Sequence, residues 1–342
     1  MPALIVHTAF LGDLCLTIPL MKKIKSEGVP LWLVCRKGVG SFFQQLGLID
    51  QYFEISKGDS QSYGKALSQL KDVKFSEIYV PHESLRTAFL VGRLQADVKI
   101  SYHSWWNFCF YDTRILRDLS KPEAVRLLGL YRKDQELLQE IADFKETYSD
   151  ADQELPQVPE WASMSCKIPD LSPALEREIP REPFLCVFPG SVWETKKWTE
   201  DGFQKFCQSW KGPILLMGSQ AERDLCLRIQ AQSKNVQVMA GKLNLLETVQ
   251  VLARAQVCLS NDSGGQHLAA VAGTPVVTIF GPTILKLGFR PWTERSAVVQ
   301  VENLPCRPCG KHGHQKCPLG THDCMKKINP AQVQKMVLHL IS

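Results

Sequence analysis

Short apolar runs rich in Val, Ile and Leu alternate with helical patterns along most of the chain, and no other feature constrains the fold as tightly. Such runs suit strands buried on both faces, and strands that alternate with helices imply parallel βαβ units. A first series places strands at residues 3–7, 30–34, 52–56, 76–80 and 97–101, with helices running to about residue 25 and over 61–71 and 84–94. Between 150 and 183 the pattern lapses, and prolines 156, 159, 169, 173, 180 and 183 interrupt any regular element. A second series follows, with strands at 184–188, 213–217, 235–239, 256–260 and 275–280 and helices at 199–210, 220–232, 245–254 and 264–272. The expected fold is α/β, with two doubly wound Rossmann-like domains facing across a cleft. The expected boundaries are 1–150 for the first domain, 151–183 for a Pro-rich linker, 184–328 for the second domain and 329–342 for a terminal segment whose helix covers about 330–341.

The chain has 342 residues, enough for two full cores. Its net charge of +5 is mild and comes without dense basic runs, which argues against a dedicated nucleic-acid binder and for anionic small molecules or a lipid surface. The opening MPALIVHTAFLGDLCLTIPL has no basic residue ahead of its apolar run and carries Asp13 inside it, so it reads as neither signal peptide nor anchor. No uncharged apolar stretch reaches eighteen residues, and the expectation is a soluble cytoplasmic protein.

Three strand-to-helix turns carry chemistry. In SNDSGGQHLAAVAGTPVVTIFGPT (260–283), Asp262 and Ser263 lead into Gly264 and Gly265 at the start of a helix, where unpaired amides with partial positive charge suit a phosphate. Asp262 can cap that helix or orient a ligand hydroxyl, and His267 reads equally as a packed residue. In FPGSVWETKKWTEDGF (188–203), Lys196 and Lys197 stand where a diphosphate could meet them, against the ordinary reading of solvated surface lysines, and Trp198 reads as a packing anchor. In HTAFLGDLCLTIP (7–19), Asp13 lies where the first strand hands over to the first helix and reads as a general base or a helix cap. No GxGxxG or GxxxxGK[ST] motif is present.

Together these segments resemble the ADP-heptose:lipopolysaccharide heptosyltransferases, glycosyltransferase family nine. NDSGGQHLAAVAGTPVVTIFGPT, PGSVWETKKW and LGDLCLTIP match its signatures in order, and GSQAERDL at 218–225 is similar to a further family stretch. IYVPHESLRTAFL and PCRPCGKHGHQKCPLGTHDCMKKINPAQV look like the heptosyltransferase II branch. The resemblance implies a GT-B architecture, Asp13 as catalytic base, Lys196 on the donor phosphates, and Ser191, Glu222, Asp262, Ser263, Gly264, Gly265 and His267 lining the nucleotide-sugar site. It implies inverting, metal-independent transfer from ADP-heptose to an anionic, lipid-linked saccharide of the lipopolysaccharide inner core. No cofactor, no nucleic acid and peripheral inner-membrane contact complete that expectation, with a family-nine enzyme using another nucleotide sugar as the alternative. Lys22, Lys23, Lys25, Arg86, Arg93, Arg114 and Arg117 are candidates to meet the acceptor, and the aromatic run at 102–111 reads as packed core or as a membrane-facing loop.

Of twelve cysteines, eight are scattered and read as core filler. Cys306, Cys309, Cys317 and Cys324, with spacing C-x2-C-x7-C-x6-C, make a structural zinc site chemically reasonable, and a zinc-dependent binding module is the rival reading from another class. Because the second half lacks a close pair, thiols packed in an irregular segment are favoured and no metal is assigned.

Overall fold

The computed structural model describes all residues except 147, 149–153 and 232. It divides into two compact units, Met1–Lys145 and Glu146–Ser342. In the first unit six strands, β1 (Ala3–His7), β2 (Leu31–Arg36), β3 (Gln51–Ile55), β4 (Lys74–Val80), β5 (Gln95–Tyr102) and β6 (Thr113–Ile115), form a parallel sheet in the order β3-β2-β1-β4-β5-β6. In the second, β7 (Leu185–Phe188), β8 (Ile214–Leu216), β9 (Val236–Val238), β10 (Val257–Asn261), β11 (Val276–Phe280) and β12 (Ser296–Gln300) lie in the order β12-β11-β10-β7-β8-β9. Read within each unit, both orders are the doubly wound 3-2-1-4-5-6, with the strand order reversing between β1 and β4 and again between β7 and β10.

The central strands show why the apolar runs were legible. Every residue of β1, β7, β10 and β11 is buried, as expected for parallel strands covered on both faces. Edge strand β3 (QYFEI) is mostly only half-buried. Helices start where caps require. Thr199 Oγ1 accepts the amide of Gly202 at 3.0 Å to open Glu200–Ser209, and Asn244 with Glu247 forms a capping box on Leu245–Leu252. The terminal helix Pro330–Ile341 carries Pro330 at its first position and buries Val333, Met336, Val337 and Leu340 in the second core.

Several elements lie outside the expected pattern. β6 has three residues and β12 reads SAVVQ, too little apolar length to stand out, while helices Gly40–Gln45, Glu123–Leu128 and Gln135–Asp143 are short or charged. Glu123–Leu128 is buried throughout because its charges are internally matched: Glu123 accepts Arg126 Nη1 at 2.9 Å and Arg117 Nη2 at 2.5 Å. The proline-rich stretch is not a loose connection, since it packs against the second unit. Arg290, fully buried, pairs with Glu146 at 2.8 Å and donates to Pro156 O, while Trp292 Nε1 donates to Ala162 O at 2.7 Å and Gln250 Nε2 donates to Asp170 O at 2.6 Å. Short helix Pro173–Glu178 forms there, its first-turn proline tolerated where no intrahelical donor is needed.

All twelve cysteines are free. Six of the eight scattered ones are buried core thiols, and burial pushes those of Cys35, Cys207 and Cys226 up to about 12. Cys109 is exposed and Cys166 half-buried, so these two are not core filler.

Candidate functional site

In open α/β sheets, ligands bind outside the carboxyl ends of the strands where the strand order reverses. In the second unit that position lies above β7 and β10, and two of the sequence-derived candidates meet there. Lys196 Nζ, on the turn after β7, pairs with Asp262 Oδ2, directly after β10, at 2.6 Å. Their side chains are only 12% and 5% exposed. Thr283 Oγ1 donates to the same oxygen at 2.5 Å, and Gln266 Nε2 donates to Asp262 Oδ1 at 3.0 Å. Asp262 is therefore the counter-ion that fixes Lys196, a use that helix capping would compete with, and no side chain caps helix Gly264–Ala272. Lys197 turns away to Glu194 at 2.5 Å.

The two glycines have different reasons. A side chain at Gly265 would meet Phe188 Cγ at 2.5 Å and Ser260 Oγ at 2.8 Å, so its small size serves helix–strand packing. At Gly264 a Cβ would meet nothing within 4 Å, which leaves that first-turn backbone open to a ligand. Ser263 holds the N-cap position in extended backbone. His267 is buried beside Lys196 and Asp262, and desolvation lowers its pKa to about 4 from 6.5, with Asp262 opposing and Lys196 assisting.

Asn261 organises the turn from below: its Nδ2 donates to Pro189 O at 2.8 Å and its Oδ1 accepts the amide of Trp198 at 3.0 Å. Trp198 is buried and meets Phe203 edge-on at 4.9 Å, a packing anchor. Ser191 Oγ accepts the amide of Trp193 at 3.3 Å. Glu222 accepts Ser219 N at 2.7 Å and lies against Gly190, where any Cβ would fall 1.7 Å from its Oε1. Glu222 thus shapes the turn that precedes Ser191.

Residues 305–324 brace this site. Thr195 Oγ1 donates to His314 O and accepts from His314 N, both at 2.8 Å, and His322 Nε2 donates to Thr195 O at 2.9 Å. Arg307 donates to Thr283 O at 2.7 Å, and Cys309 N to Pro282 O at 2.8 Å. His312 stacks nearly parallel to Trp193, with centroids 6.2 Å apart, and feels the charges of Lys196 and Asp262. Among the described residues no group of three or more His, Cys, Asp or Glu side chains is arranged to hold a metal ion. Backbone amides, led by that of His322, lower the Cys317 thiol, whereas burial pushes Cys324 up to about 11.

In the first unit Asp13 lies at the carboxyl edge of β1, also at the reversal of strand order. Its Oδ2 accepts the amide of Phe10 at 3.1 Å, closing a capping box on Leu11–Leu16, and the residue is half-buried. Thr17 Oγ1 donates to Asp13 O at 3.0 Å, so the 2.9 Å contact between Thr17 Oγ1 and His7 Nδ1 requires the His7 proton on Nδ1. Burial lowers His7 to about 3, and its ring stacks on His82 at 6.3 Å. Two of the acceptor lysines are engaged by carboxylates: Lys25 pairs with Asp50, which also accepts the amide of Leu31 and so places Lys25 by the start of β2, and Lys23 pairs with Asp134. Arg117 leans over Tyr102 at 5.1 Å, and Arg36 lies over Phe10 at 4.6 Å at the carboxyl edge.

Residues 64–319 match the profile of Glycosyltransferase family 9 (heptosyltransferase), three quarters of the chain. The chain belongs to glycosyltransferase family 9. Over 136 residues it is 35% identical to lipopolysaccharide heptosyltransferase 1 of Pseudomonas aeruginosa, covering 39% of this chain and 38% of that one. Over 167 residues it is 33% identical to lipooligosaccharide heptosyltransferase 2 of Campylobacter jejuni, covering 46% and 50%. The chain thus aligns with half or less of the length of these curated relatives. The solved structure of E. coli ADP-heptose LPS heptosyltransferase II has the same fold, with a TM-score of 0.74 at 16% identity over 100% of this chain and 98% of that one. The family match and the shared fold bear out the expected family and the expected GT-B type of architecture.

Sequence reasoning missed Thr283, His7 and His82, and gave Gln266 no role in the site. Thr283 follows β11 at the same strand edge as Asp262, so the strand-end rule that selected Asp262 also reaches it.

The buried His267 has a measurable consequence. Its folded pKa of about 4 lies below the unfolded 6.5, so between these values the unfolded chain binds more protons and stability rises with pH. The associated stability is complete above the unfolded value and is lost as pH falls toward the folded one. The full loss is about 3 kcal/mol, at about 1.4 kcal/mol per unit. Denaturant unfolding of wild type and His267→Gln across this window should show a shallower pH slope in the variant, and equal slopes would rule out a neutral His267 in the folded state.

Proposed function

We propose that this family-9 chain is an inverting heptosyltransferase that moves a heptose from ADP-heptose to an anionic, lipid-linked saccharide of the lipopolysaccharide inner core. The observation that carries the reading is the fixed Lys196–Asp262–Thr283 arrangement beside the open first turn at Gly264, at the strand-order reversal of the second unit.

The chemistry needs a base for the acceptor hydroxyl on one face of the sugar and a receiver of charge on the other. Asp13 takes the hydroxyl proton as that oxygen bonds to the anomeric carbon, and the bond from this carbon to the diphosphate oxygen breaks with its electron pair leaving on ADP. Lys196 and the amides at the start of Gly264–Ala272 meet the charge that grows on the departing diphosphate. Because that charge is larger in the transition state than in the bound donor, these groups lower the barrier more than they tighten ground-state binding. Lys196 needs no reorganisation at that moment, since Asp262 already holds it. The protein's own cationic groups fill the role of a metal, and transfer is proposed to proceed without one.

A donor panel read by thermal shift tests the substrate. ADP-heptose and ADP should raise the melting temperature, by about 2.7 kcal/mol of added stability at a hundredfold excess over Kd. UDP- and GDP-sugars should not. Stabilisation by another nucleotide sugar, with none from ADP-heptose, transfers the reading to the alternative donor. Stabilisation by none of them overturns it.

A further inference from the structure

The Lys196–Asp262 pair carries no net charge. A diphosphate arriving at the ammonium meets a carboxylate oxygen only 2.6 Å from it, so attraction by the one is offset by repulsion from the other. The diphosphate of a nucleotide sugar is negative on each phosphate and gains a further charge as it leaves. Amides at the start of Gly264–Ala272 answer that charge only in part. His267 beside the pair adds none, since burial holds its pKa at about 4.

A second histidine stands at the same pair within reach of solvent. Residues 311–315 lie over the turn that follows β7: Thr195 Oγ1 bonds both His314 O and His314 N at 2.8 Å, and Gln315 Nε2 donates to Val192 O at 3.1 Å. Gly313 makes this approach possible. Its φ is +79°, and a Cβ there would fall 2.9 Å from Thr195 Oγ1 and 3.5 Å from Lys196 Cγ, so the loop closes on the lysine stem through a residue with no side chain. Next to it His312 lies against Trp193, with ring centroids 6.2 Å apart and planes 9° from parallel. Both His312 and the preceding Lys311 are exposed.

The groups around the ring decide when it takes a proton. Partial burial, then Lys196 and Lys311, push the His312 imidazole below the ordinary histidine value, and Asp262 opposes them. Glu194 and Lys197, on the turn beneath, pair with each other at 2.5 Å. Negative charge brought against Lys196 reverses this balance, because an anion beside an imidazole favours its cation. The ring is therefore neutral before a diphosphate binds and charged afterwards.

We infer that His312 is a donor-binding residue, held beside Lys196 by Trp193 and the Gly313 contact, which takes a proton from solvent as the diphosphate binds and returns it when ADP leaves. The inference rests on the proposed ADP-linked donor and adds to that site the positive charge its ion pair lacks. The sign of the pH dependence follows. Affinity for ADP is highest where the bound ring is protonated and falls as pH rises past that range.

Calorimetric titration of the full chain with ADP, in buffers of different ionisation enthalpy, measures the protons taken up on binding. The terminal phosphate of ADP titrates nearby, so the readout is the difference between wild type and His312→Gln. At about pH 7 wild type should take up roughly half a proton more than this variant, and its affinity should fall by roughly fivefold more between about pH 6 and about pH 8. His312→Lys, whose charge is fixed, should bind ADP at about pH 8 at least as tightly as wild type and lose the extra uptake. A histidine that only packed against Trp193 would not be replaced in this way. Unchanged melting temperatures, expected at an exposed position, show that both variants fold. Equal proton uptake and equal pH dependence in wild type and His312→Gln overturn the assignment of His312 and leave the proposed donor standing. Failure of wild type to bind ADP overturns both.

Discussion

Asp13→Asn should lower turnover by roughly 10²- to 10⁴-fold, the usual range for loss of a general base, while leaving the melting temperature within error of wild type. The substitution separates the two roles that Asp13 can play. As a structural group it accepts the Phe10 amide at 3.1 Å and closes the first turn of Leu11–Leu16. An asparagine oxygen accepts the same amide, so capping survives. An amide cannot take a proton from an attacking hydroxyl, so catalysis does not. Asp13→Ala removes both functions and should add a stability loss of about 1 kcal/mol, the typical cost of a cap. Full activity in Asp13→Asn with a lowered melting temperature would assign Asp13 to the cap alone.

What was legible in the sequence follows from how local each signal is. The central strands declared themselves because a parallel strand buried on both faces must be continuously apolar, and LCVF and VVTIF are. β6 and the charged helix Glu123–Leu128 did not. TRI is a three-residue edge strand, and Glu123 and Arg126 are buried only because Arg117 and one another neutralise them, a pairing that no periodicity reveals. The site behaves in the same way. Strand-end position offers Asp262 and the pair Lys196 and Lys197 as candidates, and the resemblance singles out Lys196, but the mutual contact of Lys196 and Asp262 joins residues 66 apart, and Thr283 and Gln266 complete the partners of Asp262. Glu222 is a candidate by resemblance alone, and its place against Gly190 is one that only the folded chain brings about. Lys25 shows the converse: charge is visible in sequence, but which end of a sheet it lies on depends on a partner such as Asp50, which also accepts the amide of Leu31 at the start of β2.

Lys196→Ala should cost roughly 10²- to 10³-fold in turnover, the scale of losing one fixed group that receives transition-state charge. It should also weaken ADP binding. The ion pair complicates the reading, because removing the ammonium strands the nearly buried Asp262 carboxylate with only Thr283 and Gln266 as its described donors. A buried polar group that loses a partner costs about 1 to 3 kcal/mol, and more when it is charged, so Lys196→Ala is expected to melt earlier than wild type. A drop in activity alone therefore cannot be assigned to the phosphate contact. Lys196→Met/Asp262→Asn resolves it, since methionine keeps the stem of the side chain, the asparagine oxygen still accepts from Thr283 or Gln266, and no unpaired charge remains. The double variant should recover most of the lost stability without regaining turnover or ADP affinity. Recovery of both would mean that Lys196 serves only as the counter-ion of Asp262, and the diphosphate would then have to be held by the amides of the open first turn at Gly264 alone.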